Sequence, residues 1–568
     1  MFVPALSPNF ELDHLLLPYA ERLADAALIS AAECGERRFR TLQVPLWLDS
    51  GGFAAFAPGS CVREEGGLGI LSRPHAADLS PQSVYDLAEQ LGAAAEFTLD
   101  FPTRNEQDRL RLFRLGEANA LWRLSRPRNR LIYAAVQPGQ PLGTILAAQP
   151  DGLALGGLVP LAGNPQRLEQ EIRAVRAQMP EQMPLHVFGL GKPDLIKLAL
   201  NAGATSTDSS SPQRTAVSGK GWNRSPVTSP SEPERLELAT QNLHSSVNAG
   251  KASSEQPAAK QRNQLLTLPT GGGKTYRAGQ AAGRALEAGG KVIVIAPTIA
   301  LIEEIAEDWA RRYPQYQVQA YSHRSAHKRP YRSAQIIVMS GERLDLVTRR
   351  WKRHWDWLPH VTLAVIDEFH LIREPGRGPA LEAGLIRLHM LNPLCRLMLL
   401  TATCGNPEDI CTWLDAEHVH SDHRPVPLVW NAVKSRNKTQ TLWKELDAQD
   451  GKTLVFVHSR ARAQSLSTEA QKRGYQAAAP CIPLPLPSGA AREAGIYTVA
   501  GLFRRLRLPQ LASGKHGQAR KSQFLFLPVF FRPDGTREPA GISEVWKGHP
   551  QCANDISSKA ACSAESWK

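Results

Sequence analysis

The chain has 568 residues, more than one ordinary globular core holds, and about two to four domains are expected. Its 67 Lys and Arg residues against 54 Asp and Glu give a net charge of +13, which favours a polyanion such as nucleic acid but also fits a merely basic surface. The eight cysteines form no CxxC pair, and neither a secretion leader nor an apolar run of about 18 residues occurs, so we expect a cytoplasmic protein with no disulfide framework, zinc site or membrane span.

Short apolar segments alternate with helix-like stretches throughout residues 1–222. The segments are FVPALS, AALISA, PLWLD, AEFTLD, LIYAAVQ, GLALGGL, LHVFGLG and ATSTD. Helix-like stretches such as PQSVYDLAEQLGAA and PQRLEQEIRAVRAQM separate them. Strands that alternate with helices predict a parallel sheet, and eight of them predict an α/β fold of the (β/α)8 TIM-like barrel type.

Polar residues stand at the ends of several of these predicted strands, and two glycines lie within the sixth segment. They are Asp49, Asp100, Gln137, Gly156, Gly157 and Asp208. In such a barrel the carboxyl ends of the strands meet at one mouth, where carboxylates can act as nucleophile and base. A single Asp in such a position is more often a turn or helix-cap residue, so the prediction depends on their joint placement.

The strings LDSGGF, LDFP, AVQPG, GLALGGL, FGLGKP and TDSSSPQR stand in this order over residues 40–215. Together they resemble the tRNA-guanine transglycosylase family, and especially its DNA-modifying members that insert 7-deazaguanine bases. The resemblance implies that Asp208 is the nucleophile at the sugar C1′ and Asp49 the acid/base group. It further implies a set of base-binding residues: Asp100, Gln137, Gly156 and Gly157.

One feature of that family is missing from the sequence. The tRNA enzymes carry a Cys3His zinc site soon after the nucleophile, whereas no cysteine occurs here between Asp208 and Cys395. We therefore predict no zinc site and expect DNA, rather than tRNA, as the nucleic-acid partner. A 7-deazaguanine base is the expected small-molecule substrate.

Residues 223–262 are rich in Ser, Pro, Ala, Asn and Gln. Such a composition buries little apolar surface and predicts a flexible linker. The linker divides the barrel from a second folded half.

The stretch LTLPTGGGKT, residues 266–275, lies between an apolar run and an Ala-rich segment closed by two glycines. Strand, glycine loop and helix are the context of a phosphate site. We expect ATP at the loop, with Lys274 on its terminal phosphates and Thr275 on Mg²⁺. The predicted ATP-binding residues are Thr270, Gly271, Gly272, Gly273, Lys274 and Thr275.

Three further buried strands follow in KVIVIAPT, LAVIDEFH and RLMLLTAT. Asp367, at the end of the second, is predicted to bind Mg²⁺, and Glu368 to activate the attacking water. In this order the strings resemble the superfamily 2 DExH helicases, with a RecA-like ATP-binding domain over residues 263–430. That resemblance implies that His370, Thr401 and Thr403 couple hydrolysis to movement on nucleic acid.

GKTLVFVHSRARAQSL opens what resembles a second RecA-like domain, at residues 431–481. That domain is incomplete, since no QxxGRxGR-like string with its arginine finger follows, and we expect residues 482–568 to form a poorly ordered basic tail. ATP binding is therefore better supported than unwinding.

The leading hypothesis is an enzyme in which an ATP hydrolase serves guanine transglycosylation in DNA, with other DNA-modification proteins as partners. One alternative is an ATP- and nucleic-acid-binding protein whose barrel only docks. Another is a fusion of two neighbouring genes with a changed reading frame near residue 481.

Overall fold

The computed structural model describes most of the chain up to residue 505. The gaps are 36–38, 40–41, 103–105, 252–261, 322–332, 424–434, 449–451, 458 and 479–498. The end of the predicted linker and the predicted tail at 482–498 and 506–568 lie outside the described residues. The chain divides into two compact units, Met1–Pro425 and Val426–Lys568.

Eight parallel strands close into a barrel at the start of the chain, in the order β1-β10-β9-β8-β7-β6-β3-β2. They are β1 Phe2–Leu6, β2 Ala27–Ser30, β3 Leu46–Asp49, β6 Ala95–Phe97, β7 Leu131–Val136, β8 Gly152–Leu155, β9 Leu185–Val187 and β10 Ser206–Ser209. A hairpin, β4 Cys61–Glu65 and β5 Leu68–Ser72, is inserted after β3. Each predicted segment supplies one barrel strand, so the (β/α)8 prediction is confirmed.

Helices cover the outside of this barrel. They are α1 Glu11–Leu23, α2 Pro81–Leu91, α3 Glu106–Leu124, α4 Gly143–Ala147, α5 Pro165–Arg176, α6 Pro193–Asn201, α7 Ser211–Val217 and α8 Glu232–Gly250. Pro at the first turn of α2, α5 and α6 fixes a helical φ where no backbone donor is needed. The helices bury apolar faces against the strands, as in the cluster around Leu153 and Ile172.

The predicted flexible linker is wrong over residues 232–250, which form α8. Ser231 and Glu234 make a reciprocal capping box that starts the helix, and Leu236, Leu243 and Val247 bury their side chains against α1 and the barrel. The average composition of residues 223–262 concealed this apolar spacing. Helix α8 completes the outer layer of the barrel, which therefore extends to about residue 250.

A seven-stranded parallel sheet follows, in the order β13-β14-β12-β15-β16-β11-β17. Its strands are β11 Asn263–Thr267, β12 Lys291–Ile295, β13 Val318–Tyr321, β14 Ile336–Met339, β15 Val361–Ile366, β16 Arg396–Thr401 and β17 Ala416–His420. Its helices are α9 Lys274–Glu287, α10 Ile299–Arg312, α11 Gly341–Arg349, α12 Gly378–Leu391 and α13 Pro407–Leu414. Apolar clusters on both faces of the sheet make the P-loop domain, residues 263–423, a doubly covered α/β fold.

The barrel packs directly on the P-loop domain within the first unit. The buried Tyr19 hydroxyl of α1 donates to the Leu391 carbonyl at the end of α12, and Arg22 donates to the Leu394 carbonyl at 3.1 Å. Lys352 pairs with Glu232 of α8 at 2.7 Å. These contacts lie next to the amino ends of β15 and β16, whereas the nucleotide motifs lie at the carboxyl ends.

The described part of the second unit contains two helices and three strands. They are α14 Lys438–Ala448, β18 Lys452–Val457, α15 Arg460–Lys472, β19 Tyr475–Ala478 and β20 Val499–Arg505. Strand β20 pairs antiparallel with β18 and β19, so this stretch of the predicted tail is part of a sheet. Among the described residues, no helix is long and apolar enough to cross a membrane.

Candidate functional site: a barrel mouth and a phosphate loop

The barrel mouth, formed by the carboxyl ends of the eight strands, brings the predicted carboxylates together. Asp49 ends β3, Asp100 follows β6, and Asp208 lies in β10. Asp100 and Asp208 are 9% and 6% exposed, so each carboxylate is accessible only from the mouth. Asp208 and Asp100 both act electrostatically on Asp49, as expected for carboxylates at the same end of the barrel.

One oxygen of Asp208 is held by two donors. Oδ1 accepts the Gly189 backbone N–H at 3.1 Å and lies 3.2 Å from Nε2 of His186. In the part of the chain that the structure describes, no hydrogen bond reaches Oδ2. The carboxylate is thus oriented through Oδ1, and Oδ2 has no hydrogen-bond partner among the described residues.

Burial, together with the neighbouring Asp208 and Asp100 carboxylates, raises the pKa of Asp49 to about 7. Hydrogen bonds from Ser30 and the Gly51 N–H act in the opposite direction. A carboxyl group with a pKa near neutrality can both accept and release a proton at physiological pH. Asp49 therefore has the property required of an acid/base group.

Asp100 and Gln137 form a polar pair beside two glycines. Gln137 Nε2 donates to Asp100 Oδ2, and burial raises the pKa of Asp100 to about 6 against the lowering effect of that bond. A Cβ at Gly156 would lie 2.6 Å from Gln137 Nε2, and one at Gly157, whose φ is +71°, would lie 2.4 Å from its Oε1. Only glycines leave room for the amide here. We call Asp100, Gln137 and the two glycines the polar slot.

His186 belongs to this mouth although the sequence did not single it out. Its side chain is fully buried, with Nδ1 2.9 Å from the Ser206 hydroxyl and its ring 4.9 Å from that of Phe97. A carboxylate oxygen accepts, so Nε2 donates to Asp208, and on a neutral imidazole Nδ1 accepts from the Ser206 hydroxyl. The available signal was a lone polar residue inside LHVF, which more often indicates a satisfied core histidine.

The residues near Asp208 do not fit a Cys3His zinc site. Helices α7 and α8, which follow Asp208, contain no cysteine, and the next cysteine in the chain is Cys395 in the P-loop domain. Among the described residues, no group of three or more His, Cys, Asp or Glu side chains is arranged to hold a metal ion. No step at the mouth is therefore assigned to zinc.

The phosphate loop precedes α9 and places two of its three glycines in left-handed conformations. Gly271 and Gly273 have φ of +82° and +85°, and no side chain caps the first N–H groups of α9. Such a loop directs backbone donors and the helix dipole at an anion. Lys274 begins α9, where its Nζ donates to the Leu268 carbonyl at 2.9 Å, and Thr270 and Thr275 are exposed beside it. These residues fit the phosphates and magnesium of a nucleotide.

The acidic motif, Asp367 and Glu368, follows β15, which is separated from β11 in the sheet by β16. Burial and the adjacent Glu368 raise the pKa of Asp367, while Lys274 lowers it. Lys274 of the phosphate loop thus acts electrostatically on the predicted magnesium ligand. Glu368 has a φ of +50°, an unusual value for a residue other than glycine, and such strain is often found at functional sites.

His370 links the acidic motif to the end of β16. Its Nδ1 lies 3.2 Å from Glu368 Oε2 and 3.5 Å from the Thr401 hydroxyl. Thr401 in turn donates to the Thr403 carbonyl at 2.7 Å. The structure therefore brings the three predicted coupling residues into one chain of contacts with Glu368.

Comparisons with known proteins match both halves of the chain. A family described as queuine tRNA-ribosyltransferase matches residues 19–244, and one described as DEAD/DEAH box helicase matches residues 251–410. The first match includes most of α8, in agreement with the extended barrel.

Curated relatives resemble the helicase half. The ATP-dependent DNA helicase Hel308 of Pyrococcus abyssi is 35% identical over 37% of this chain and 31% of its own length. The Hel308 helicase of Pyrococcus horikoshii is 32% identical over 38% of this chain and 31% of its own length. The chain thus matches about a third of the length of these relatives.

Proposed function

We propose that the barrel of this chain exchanges a base in nucleic acid. The chain joins a domain of the queuine tRNA-ribosyltransferase family to a DEAD/DEAH box helicase domain. The observation that carries this proposal is the cluster of Asp49, Asp100 and Asp208 at one mouth. DNA is the proposed substrate, a 7-deazaguanine the incoming base, and the cytoplasm the location. The ATP-binding domain positions the barrel on the nucleic acid.

In the first half of the reaction, the free Oδ2 of Asp208 attacks the sugar C1′ as the C1′–N9 bond of guanine breaks. The leaving base takes a proton at N9 from Asp49, whose raised pKa keeps part of the population protonated near pH 7. The product is a covalent sugar ester of Asp208 and free guanine. The donors on Oδ1 keep the carboxylate oriented for this attack.

In the second half, the incoming 7-deazaguanine gives its N9 proton to the Asp49 carboxylate and attacks C1′. The ester bond breaks, Asp208 recovers its charge, and Asp49 is again protonated. The slot of Asp100, Gln137, Gly156 and Gly157 holds each base by its polar edge. Below about pH 6 Asp100 becomes protonated and loses one acceptor.

In the helicase half, the loop of Thr270, Gly271, Gly272, Gly273, Lys274 and Thr275 would hold the phosphates of ATP. Mg²⁺ would bind Thr275 and Asp367 and neutralise phosphate charge. Glu368 orients the attacking water, and His370 passes a change at Glu368 to Thr401 and Thr403. The contacts among these side chains support a coupling role.

The proposal is tested by incubating the full chain with a labelled 7-deazaguanine base and, in parallel, guanine-containing DNA or tRNA. We expect label in DNA, with Asp208→Ala abolishing it. Label in tRNA alone would refute the DNA assignment. Equal labelling by Asp208→Ala would refute the nucleophile, and ATP turnover stimulated by nucleic acid with no labelling at all would favour a docking role for the barrel.

A further inference from the structure

A cleft of about 770 Å³ opens on the outer face of the barrel between α6, α7 and α8. Its lining includes Lys192, Lys197, Lys220 and Trp222, and we call it the lysine cleft. All three lysines are exposed, and within the described ranges none of them forms an ion pair. Asp194 is the one acidic residue among the described residues of the lining, so the cleft is electropositive.

Trp222 is fixed in this cleft by its polar atoms. Its backbone N–H donates to Asn242 Oδ1 at 2.8 Å, and its indole N–H donates to the Asn242 carbonyl at 3.1 Å. Asn242, only 1% exposed, also donates to the Lys220 carbonyl at 3.2 Å. The loop that carries Lys220 and Trp222 is therefore held on α8. A partly exposed indole between lysines provides a stacking surface next to positive charge.

The lysine cleft adjoins the barrel mouth. Lys192 belongs to the loop whose Gly189 N–H binds the nucleophile Asp208, and Ser246 of α8 donates to the Gly191 carbonyl of the same loop at 2.7 Å. Helix α7, which also borders the cleft, begins just after Asp208. Two walls of the cleft are thus direct continuations of the segments that hold the nucleophile.

We infer that the lysine cleft binds the strand next to the exchanged nucleotide, with lysines on its phosphates and a neighbouring base stacked on Trp222. This inference rests on the proposed action of the barrel on nucleic acid. Lysine–phosphate contacts carry no sequence information, but they fix the position of a strand relative to the mouth. The occupant is a single strand, because only an unpaired base presents a face for stacking.

The test compares the full chain with Lys192→Gln/Lys220→Gln and with Trp222→Leu, using a labelled single-stranded DNA octamer at several salt concentrations. Arg167→Gln, which removes an exposed charge on α5, is the matched control. The double lysine variant should bind the octamer more weakly. The slope of the logarithm of its binding constant against the logarithm of the salt concentration should become smaller in magnitude by about 0.7 per lost phosphate contact. Trp222→Leu should weaken binding about tenfold without changing that dependence.

In the base-exchange assay, the lysine variant should raise KM for DNA and leave kcat unchanged, as expected for lost substrate binding. Affinity, salt dependence and KM all equal to those of Arg167→Gln would overturn the inference. So would equal competition by a free nucleoside monophosphate, which would indicate a mononucleotide site. If the unaltered chain exchanges no base but the lysine variant still loses DNA binding, the proposed function fails and the cleft stands.

Discussion

The barrel mouth and the phosphate-loop edge both lie at the carboxyl ends of parallel strands, but they differ in how completely one domain builds them. At the mouth, Asp100, Gln137 and Asp208 are less than a tenth exposed and their partners come from the closed barrel. At the loop, Thr270 and Thr275 are exposed. The strands of a closed barrel surround its site. The site at the edge of an open sheet is exposed on one side until a second domain or a ligand covers it.

This difference predicts that the two activities can be abolished separately. The proposed acid, the proposed nucleophile and the proposed base-binding slot of the mouth all lie within residues 1–250. The loop has the proposed phosphate ligands and the proposed water-activating residue, whereas the sequence predicts no arginine finger. Variants of each site measure how independent the two halves are.

The largest effect is expected for Asp208→Asn. An amide is a poor nucleophile, so base exchange should fall by about 10⁴-fold or more, as when other covalent nucleophiles are removed. ATP turnover should remain unchanged. Labelled-base incorporation and phosphate release are measured on the same preparation, with exposed Asp86→Asn as the control. Loss of ATP turnover as well would contradict the independence of the two sites.

Glu368→Gln should produce the converse result. Removing the group that activates water should lower ATP turnover by about 10²–10⁴-fold while nucleotide binding persists. Base exchange on a short single strand, which requires no movement, should continue. Exposed Glu382→Gln on α12 serves as the control in phosphate-release and fluorescent-nucleotide binding assays. An equal loss of exchange on the short strand would show that hydrolysis is needed for chemistry.

His186→Phe tests the support of the nucleophile. Without the Nε2 donor Asp208 is held only by Gly189, and a misplaced nucleophile should lower kcat by up to about 10²-fold. KM for DNA should not change, in contrast to the lysine-cleft variants. His186→Gln, which keeps an N–H donor, should recover part of the rate in steady-state assays. Equal kcat values for the Phe and Gln variants would point to a packing role.

The smallest effect that we predict is a change in stability, which Asp49→Asn should cause and which should depend on pH. The folded-state pKa of Asp49 is raised to about 7, so the group ionises at a lower pH in the unfolded chain than in the folded chain, and the fold loses stability as the pH rises from about 4 to 7. The variant and the unaltered chain should be equally stable near pH 4. Above pH 7 the variant should be more stable by a few kcal/mol at most, since one pKa unit is about 1.4 kcal/mol.

Thermal unfolding from pH 4 to 8, with Asp86→Asn as control, measures this difference. A stability advantage of Asp49→Asn that shrinks as the pH rises would contradict the raised pKa.

The sequence predicted the barrel well because strand ends, glycines and acids recur in a fixed order around it. Asp49, Asp100 and Asp208 could be found because each ends a recognisable apolar run. His186 could not, since its role depends on Asp208, a residue that only the closed sheet brings beside it. The register that pairs Ser206 with His186 is a property of the fold.

Helix α8 was missed for a different reason. Its Ser, Asn and Thr residues resemble linker residues in composition, yet several are buried and hydrogen-bonded, as Asn242 is to the Pro212 carbonyl. Polar side chains that are satisfied by a neighbouring surface stabilise a helix that would be weak alone. Such support is visible only once α6 and α7 are in place. The roles of the nucleotide-binding and base-binding residues remain predictions for the experiments above.

The contacts of Tyr19 and Arg22 with the end of α12 have a consequence for the distribution of products. The barrel and the P-loop domain belong to one compact unit. If the proposed function includes movement of the P-loop domain along a strand, that movement carries the mouth by the same number of nucleotides. The spacing between two modified positions would then equal the distance that the protein moves along the strand between two exchange reactions. The pattern of modified positions along a long DNA would therefore record the movement of the protein.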